Sequence, residues 1–231
     1  MVDTVNPPPT KSARFPKLGA RVISAVVLGG IAFAATWYGY PWFDLLIAIG
    51  ATLALFEWYR LCRGWRRPFW VLLGVLYLAA TVLSLFWLRH EPEWGRATML
   101  WLMTCVIAVD TGAYFAGKTI GGPKLVPLIS PNKTWAGLGG GIVASAAVGL
   151  IAALILQANV LTLVIWSALL APIAQFGDIL ESAVKRYFGV KDSGSIIPGH
   201  GGILDRIDGL MMAAIVLAVA RMLSHSVLPW Q

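Results

Sequence analysis

The sequence predicts an all-α, polytopic integral membrane protein of about seven transmembrane helices with a cytoplasmic N-terminus. Three observations carry that expectation. The composition is 58% hydrophobic with a mean hydropathy of +0.74, well beyond what a soluble domain of 231 residues would carry. Apolar runs recur at about 20–38, 42–59, 69–88, 97–116, 135–157, 160–181 and 204–228, each near the roughly 20 residues that span a bilayer as a helix. If those runs alternate in direction, Lys and Arg collect on one side, fifteen against three. Such an excess marks the cytoplasmic face.

In chain order, residues 1–17 are proline-rich and polar and bury nothing, so they read as a mobile tail. Residues 18–231 read as a single transmembrane domain. The first two runs are short and joined by an aromatic link, Tyr38 to Trp42, of the kind that sits at a membrane interface. A helical hairpin dipping only partly into the bilayer is the alternative there. A cleavable leader ending near Ala35 is the lesser reading of the start, and it leaves the later orientation unchanged. The cytoplasmic side collects Lys11, Arg14, Lys17 and Arg21, the cluster Arg60 to Arg67, then Lys118, Lys124, Lys133, Lys185, Arg186, Lys191 and Arg206; the other side has Arg89, Arg96 and Arg221. The net charge of +7, spread along one membrane face, suits anionic membrane lipids and not nucleic acid. No internal repeat supports a transporter built from inverted halves. Cys62 and Cys105 lie in no metal-type spacing. Gly137 to Gly141 has the small-residue spacing of close helix contact, expected inside the bundle, with a homodimer contact as the weaker alternative. His90 and His225 fall at the outer side.

Against this apolar background the stretch from Ser182 to Asp208 stands out, with Asp192, Asp205 and Asp208, the cations Lys185, Arg186, Lys191 and Arg206, His200 and a glycine cluster. Gly199, Gly201 and Gly202 leave the backbone free to take positive φ and to approach a ligand closely. They precede an apolar run expected to be helical, where orphan N–H groups and the macrodipole favour phosphate. Asp205 and Asp208, three apart, would share a face of that helix. Asp178, Glu181 and Ser182 fall at helical spacing on the preceding segment and could close the site, and carboxylates beside phosphate suit a divalent cation such as Mg2+. Capping of helix ends would explain any one of these acids, but not the glycines together with carboxylates from two segments. A second polar cluster runs from Asp110, near the end of the fourth helix, to Ser130, Lys133 and Thr134, which offer donors to phosphate before a helix start; a plain capped turn accounts for the latter equally well. Uncompensated, each membrane-level carboxylate would cost about 2.5 to 3.5 kcal/mol, so cations or water must accompany them.

The order Ser182, Lys185–Arg186, Lys191–Asp192, Pro198, His200–Gly201–Gly202, Asp205–Arg206 and Asp208 resembles the signature of the phosphatidate cytidylyltransferases (CDP-diacylglycerol synthases) over 27 residues. Asp110 to Phe115 and Ser130 to Thr134 are also similar to segments of that family, with Ala136 standing where many members have an acid or amide. The resemblance implies that CTP and phosphatidate give CDP-diacylglycerol and pyrophosphate, in a membrane-embedded catalytic domain at the inner (cell) membrane with its site toward the cytoplasm. For that reaction the matched Asp205 and Asp208, together with Asp178 from the preceding helical segment, are expected to hold Mg2+, and the carboxylate count leaves room for a second cation. Lys185, Arg186, Lys191, Asp192, His200 and Arg206 take the catalytic part. Asp110, Ser130, Lys133, Thr134, Ser182, Gly201 and Gly202 take substrate binding. Two other classes remain distinguishable: a CTP-dependent polyprenol kinase, by its product, and an ion transporter, which would spread acids through the bilayer midplane.

Overall fold

The computed structural model describes residues 15–194, 196 and 201–223. These form seven α-helices: α1 (Phe15–Tyr38), α2 (Trp42–Leu61), α3 (Pro68–Arg89), α4 (Gly95–Thr119), α5 (Trp135–Leu156), α6 (Val160–Tyr187) and α7 (Leu204–Leu223). The starts follow from local chemistry. Pro68 opens α3, where its missing N–H costs nothing. Thr134 and Asn159 cap α5 and α6 through side-chain oxygens that accept from Gly137 N and Thr162 N, both at 3.0 Å.

Among the described residues five helices, α2 to α6, are long and apolar enough to cross a membrane. The expected seven crossings are therefore not all carried by length and composition. The apolar part of α1 among the described residues is shorter, Val26–Tyr38, and α7 is interrupted by Asp205, Arg206, Asp208 and Arg221. Large apolar side chains such as Val26, Leu83, Val143 and Ile155 point outward, exposed on the bundle surface, the inverse of a water-facing exterior.

A second amendment concerns the segment between α4 and α5, where the all-α expectation fails locally. Lys124–Val126 (β1) and Ser130–Thr134 (β2) pair antiparallel, Lys124 opposite Thr134. Pro123, Pro127 and Pro131 deny this segment a helix, and the short ladder satisfies backbone groups that would otherwise be left open.

The core runs through Leu102, Cys105, Val109, Leu163, Leu170 and Leu217, all buried. Small residues set the helix spacing. A Cβ on Gly112 would lie 2.5 Å from Gly140 O, and one on Gly140 would lie 2.3 Å from the Ala116 Cβ, so α4 and α5 touch backbone to backbone. The glycine spacing at 137–141 is thus used inside the bundle. On α6, a Cβ at Gly177 would meet Asp208 O at 2.6 Å, which brings α7 against α6 one residue from Asp178.

The contacts separate two ends. At one, Glu57 of α2 reaches the start of α7, Arg67 before α3 donates to Tyr187 at the end of α6, and Lys133 before α5 meets Asp178. At the other, Arg89 donates to Thr36 O, His90 lies by Asp44, and Arg221 pairs with Glu91.

Candidate active site

The stretch that begins at Ser182 is not all loop. α6 continues to Tyr187, so Ser182, Lys185 and Arg186 lie on its last turns. Asp178, Glu181, Ser182 and Lys185 consequently form one stripe at spacings of three and four, and this stripe serves two clusters.

The first surrounds a cavity of about 260 Å³ between α4, β2, the start of α5 and α6, into which Asp110, Ser130, Lys133, Gln175 and Asp178 project. The Lys133 ammonium lies 2.6 Å from Asp178 Oδ2 and donates to the Gln175 side-chain oxygen at 3.0 Å and its carbonyl at 3.3 Å. Ser182 Oγ donates to Asp178 Oδ1 at 3.3 Å. Thr134, buried, caps α5 and lines the cavity edge.

The second cluster is drier. Lys185, only 7% exposed, sits between Glu181 Oε2 at 2.9 Å and Asp205 Oδ1 at 2.5 Å. Asp205 also accepts from Ser193 N at 3.1 Å and Gly202 N at 2.8 Å. Beside it the Glu57 carboxylate, buried on α2, accepts from Ser193 Oγ, Ile203 N and Leu204 N. Gly201 has the anticipated positive φ, +86°. The N–H groups of Gly202, Ile203 and Leu204 at the start of α7 are already engaged by these two carboxylates, so the charge meeting that helix end is the protein's own. A phosphate arriving here would meet side chains instead.

A cytidylyltransferase family model matches residues 65–223. The chain belongs to that family. It is 36% identical over a 248-position alignment to the phosphatidate cytidylyltransferase of Brucella suis biovar 1 (strain 1330), covering 87% of this chain and 92% of that protein. It is 37% identical over 207 positions to the phosphatidate cytidylyltransferase of Rickettsia felis, covering 85% and 89%.

The described part of the signature is thus gathered where α6 and α7 cross, with Lys133 and Asp110 approaching from β2 and α4. Arg186 is exposed and donates to Val190 O at 2.9 Å, steadying the turn after α6. Lys191, Asp192 and Arg206 are exposed at the rim. His200 and Pro198 lie outside the described residues. Gln175, Ser193 and Glu57 were not singled out by sequence reasoning. Glu57 was detectable by the rule that picked Asp110, as an ionisable group inside an apolar run.

Oxygen ligands dominate the acids here, which fits a hard divalent cation. Glu181 Oε1 is buried without a hydrogen-bond partner, and Asp178 and Asp208 flank the crossing at Gly177. Among the described residues no three such groups converge at metal-holding distance. Asp205, expected as a ligand, has both oxygens engaged by Lys185 and backbone N–H groups.

Proposed function

We infer that this protein transfers the cytidylyl group of CTP to phosphatidate, giving CDP-diacylglycerol and pyrophosphate for phospholipid synthesis. The observation that carries this reading is family membership, together with relatives of that name matched over most of both chains. The site chemistry agrees with it. A phosphate oxygen of the lipid attacks the α-phosphorus of CTP, the bond to the β-phosphate oxygen breaks, and pyrophosphate leaves. A phosphomonoester is largely dianionic near neutral pH, its second pKa being about 6, so no strong base is needed. The protein's task is to position two anionic substrates and offset their charge.

Lys133 and Lys185 sit on carboxylates that phosphates can replace as partners, and Arg186, Lys191 and Arg206 ring the approach. Asp110, Ser130 and Thr134 shape the cavity for nucleotide or lipid phosphate, and Ser182 supports Asp178 at its edge. His200 with Gly201 and Gly202 completes the phosphate-side loop, and Asp192 orients Lys191. Mg2+, when bound, would neutralise phosphate charge. Its assigned holders are Asp178, Asp208 and Asp205, the last requiring its pair with Lys185 to open, and the number of acids leaves room for a second cation. We place the site at the cytoplasmic face of the inner membrane, with seven crossings and the N-terminus inside. The basic-residue asymmetry supports this, as does the sorting of Arg67, Lys133 and Lys185 to one end of the bundle and Arg89 and Arg221 to the other.

The test is pyrophosphate release by the purified protein in detergent with phosphatidate, CTP and Mg2+, beside a no-lipid control. Release that needs both substrates and yields CDP-diacylglycerol is the expected result. A folded protein that releases none across metals and lipids overturns the assignment.

A further inference from the structure

We propose that Glu57 is a positioning residue for cytidylyl transfer, a buried carboxylate on α2 that clamps the neck of the loop joining α6 to α7. The proposal rests on the function inferred above. Glu57 precedes the matched family region, residues 65–223, yet it is 2% exposed and aimed into the signature. Its Oε2 accepts from Ser193 Oγ at 3.2 Å and from Leu204 N at 3.0 Å, and its Oε1 from Ile203 N at 3.0 Å. These donors come from both sides of the neck, Ser193 leading into the loop and Ile203–Leu204 leading out of it. The carboxylate also faces the positive end of α7, where a negative charge is favoured.

The backbone is shaped to admit this group. A Cβ on Gly194 would fall 2.5 Å from Glu57 Oε1, with every close neighbour belonging to Glu57, and one on Gly202 would fall 2.5 Å from Glu57 Oε2 and 2.0 Å from Ser193 Oγ. Asp205 supplies a parallel tie, accepting from Ser193 N and Gly202 N while holding Lys185. Glu57 therefore fixes the start of α7 at the height where Asp205 meets Lys185 and where Asp208 lies along Gly177. It touches no reacting atom in this role and acts through the first turn of α7.

The experiment uses the full-length protein in detergent, with folding checked by gel filtration and melting. Glu57→Gln keeps the shape, but its amide offers one acceptor oxygen to three donors. We expect kcat to fall about 10- to 100-fold, the usual cost of losing a supporting partner, with KM for CTP within about threefold because the rim cations are untouched. Glu57→Asp, which keeps the charge, should recover part of the loss. Gly194→Ala should lower kcat comparably in the native background and have little further effect beside Glu57→Ala, because the Cβ then has room. A folded Glu57→Gln with kcat within about twofold of the parent overturns the proposal, as does Gly194→Ala costing the same with and without the Glu57 carboxylate. If Glu57→Gln does not fold, Glu57→Asp decides: lowered kcat at steady KM supports positioning, and unchanged kinetics overturns it. If the parent protein itself releases no pyrophosphate, the functional reading has failed. The clamp is then judged by the 57/194 cycle in melting temperature, where additivity overturns it and coupling supports it.

Discussion

The two ends of the helix bundle spend their charges differently. At the end holding Arg221, charged groups meet singly: Arg221 pairs with Glu91, His90 lies beside Asp44, whose Oδ1 is buried without a hydrogen bond, and Arg89 donates to the Thr36 carbonyl beside the Phe43 ring. Each ties one helix terminus to another. At the Lys185 end, Glu57, Asp178, Glu181, Asp205 and Asp208 outnumber the two lysines that reach into them. Glu181 Oε1 is buried without a hydrogen bond, while Arg186, Lys191 and Arg206, close to Lys185 and Asp205 in sequence, are exposed. Single contacts of this kind hold a structure together. An excess of buried acid beside exposed cations, in a cytidylyltransferase, is an arrangement that a metal and phosphates can complete.

The largest effect that would break this contrast comes from Lys185→Met. It leaves Glu181 and Asp205 facing each other in a buried site without their shared cation, and removing one partner of a buried ionic group typically costs about 3 to 5 kcal/mol. Denaturant or thermal unfolding in detergent checks it. A loss under about 1 kcal/mol would show the cluster to be as wet as a surface pair. Asp208→Asn follows, with the opposite signature: kcat should fall about 100- to 1,000-fold, the scale of losing one charge-stabilising group in a site, while melting stays near that of the parent. Pyrophosphate release with saturating CTP and phosphatidate measures this, and retention of activity would remove Asp208 from the site.

Much of the scaffold could be read in the sequence, because apolar runs and prolines punctuate it. The expected 42–59, 69–88 and 135–157 compare with α2 at Trp42–Leu61, α3 at Pro68–Arg89 and α5 at Trp135–Leu156. The errors have physical causes. The apolar run that predicts α6 ends at residue 181, but helical hydrogen bonding does not require apolar side chains, and the helix, with its i,i+4 pair Glu181–Lys185, continues to Tyr187. The β1–β2 hairpin was hidden among prolines that read as loop. In the site, the signature named Lys185 and Asp205 but not their contact, since spacing along a chain does not say which cation faces which acid across two helices. Glu57 was harder still. Its donors at Ser193, Ile203 and Leu204 are 136 to 147 residues away, and only the folded bundle brings α2 to the start of α7.

The smaller effects belong to the opposite end and sharpen the comparison by their lack of catalytic consequence. Arg221→Met removes a charged hydrogen-bond partner of the partly buried Glu91 carboxylate, and a hydrogen bond to a charged group contributes about 1.5 to 3 kcal/mol. Melting should therefore drop while kcat per folded molecule is unchanged. Smaller again is His90→Gln. The His90–Asp44 approach is 3.3 Å with side chains 36% and 25% exposed, and pairs this open contribute about 0 to 1 kcal/mol. It should alter neither melting by more than a few degrees nor turnover. If either substitution lowered kcat without lowering stability, the two ends would be mechanically coupled through α7, which carries Asp208 near one end and Arg221 near the other. The division between a structural end and a catalytic end would then have to give way to one in which the Arg221–Glu91 pair helps set the height of Asp208.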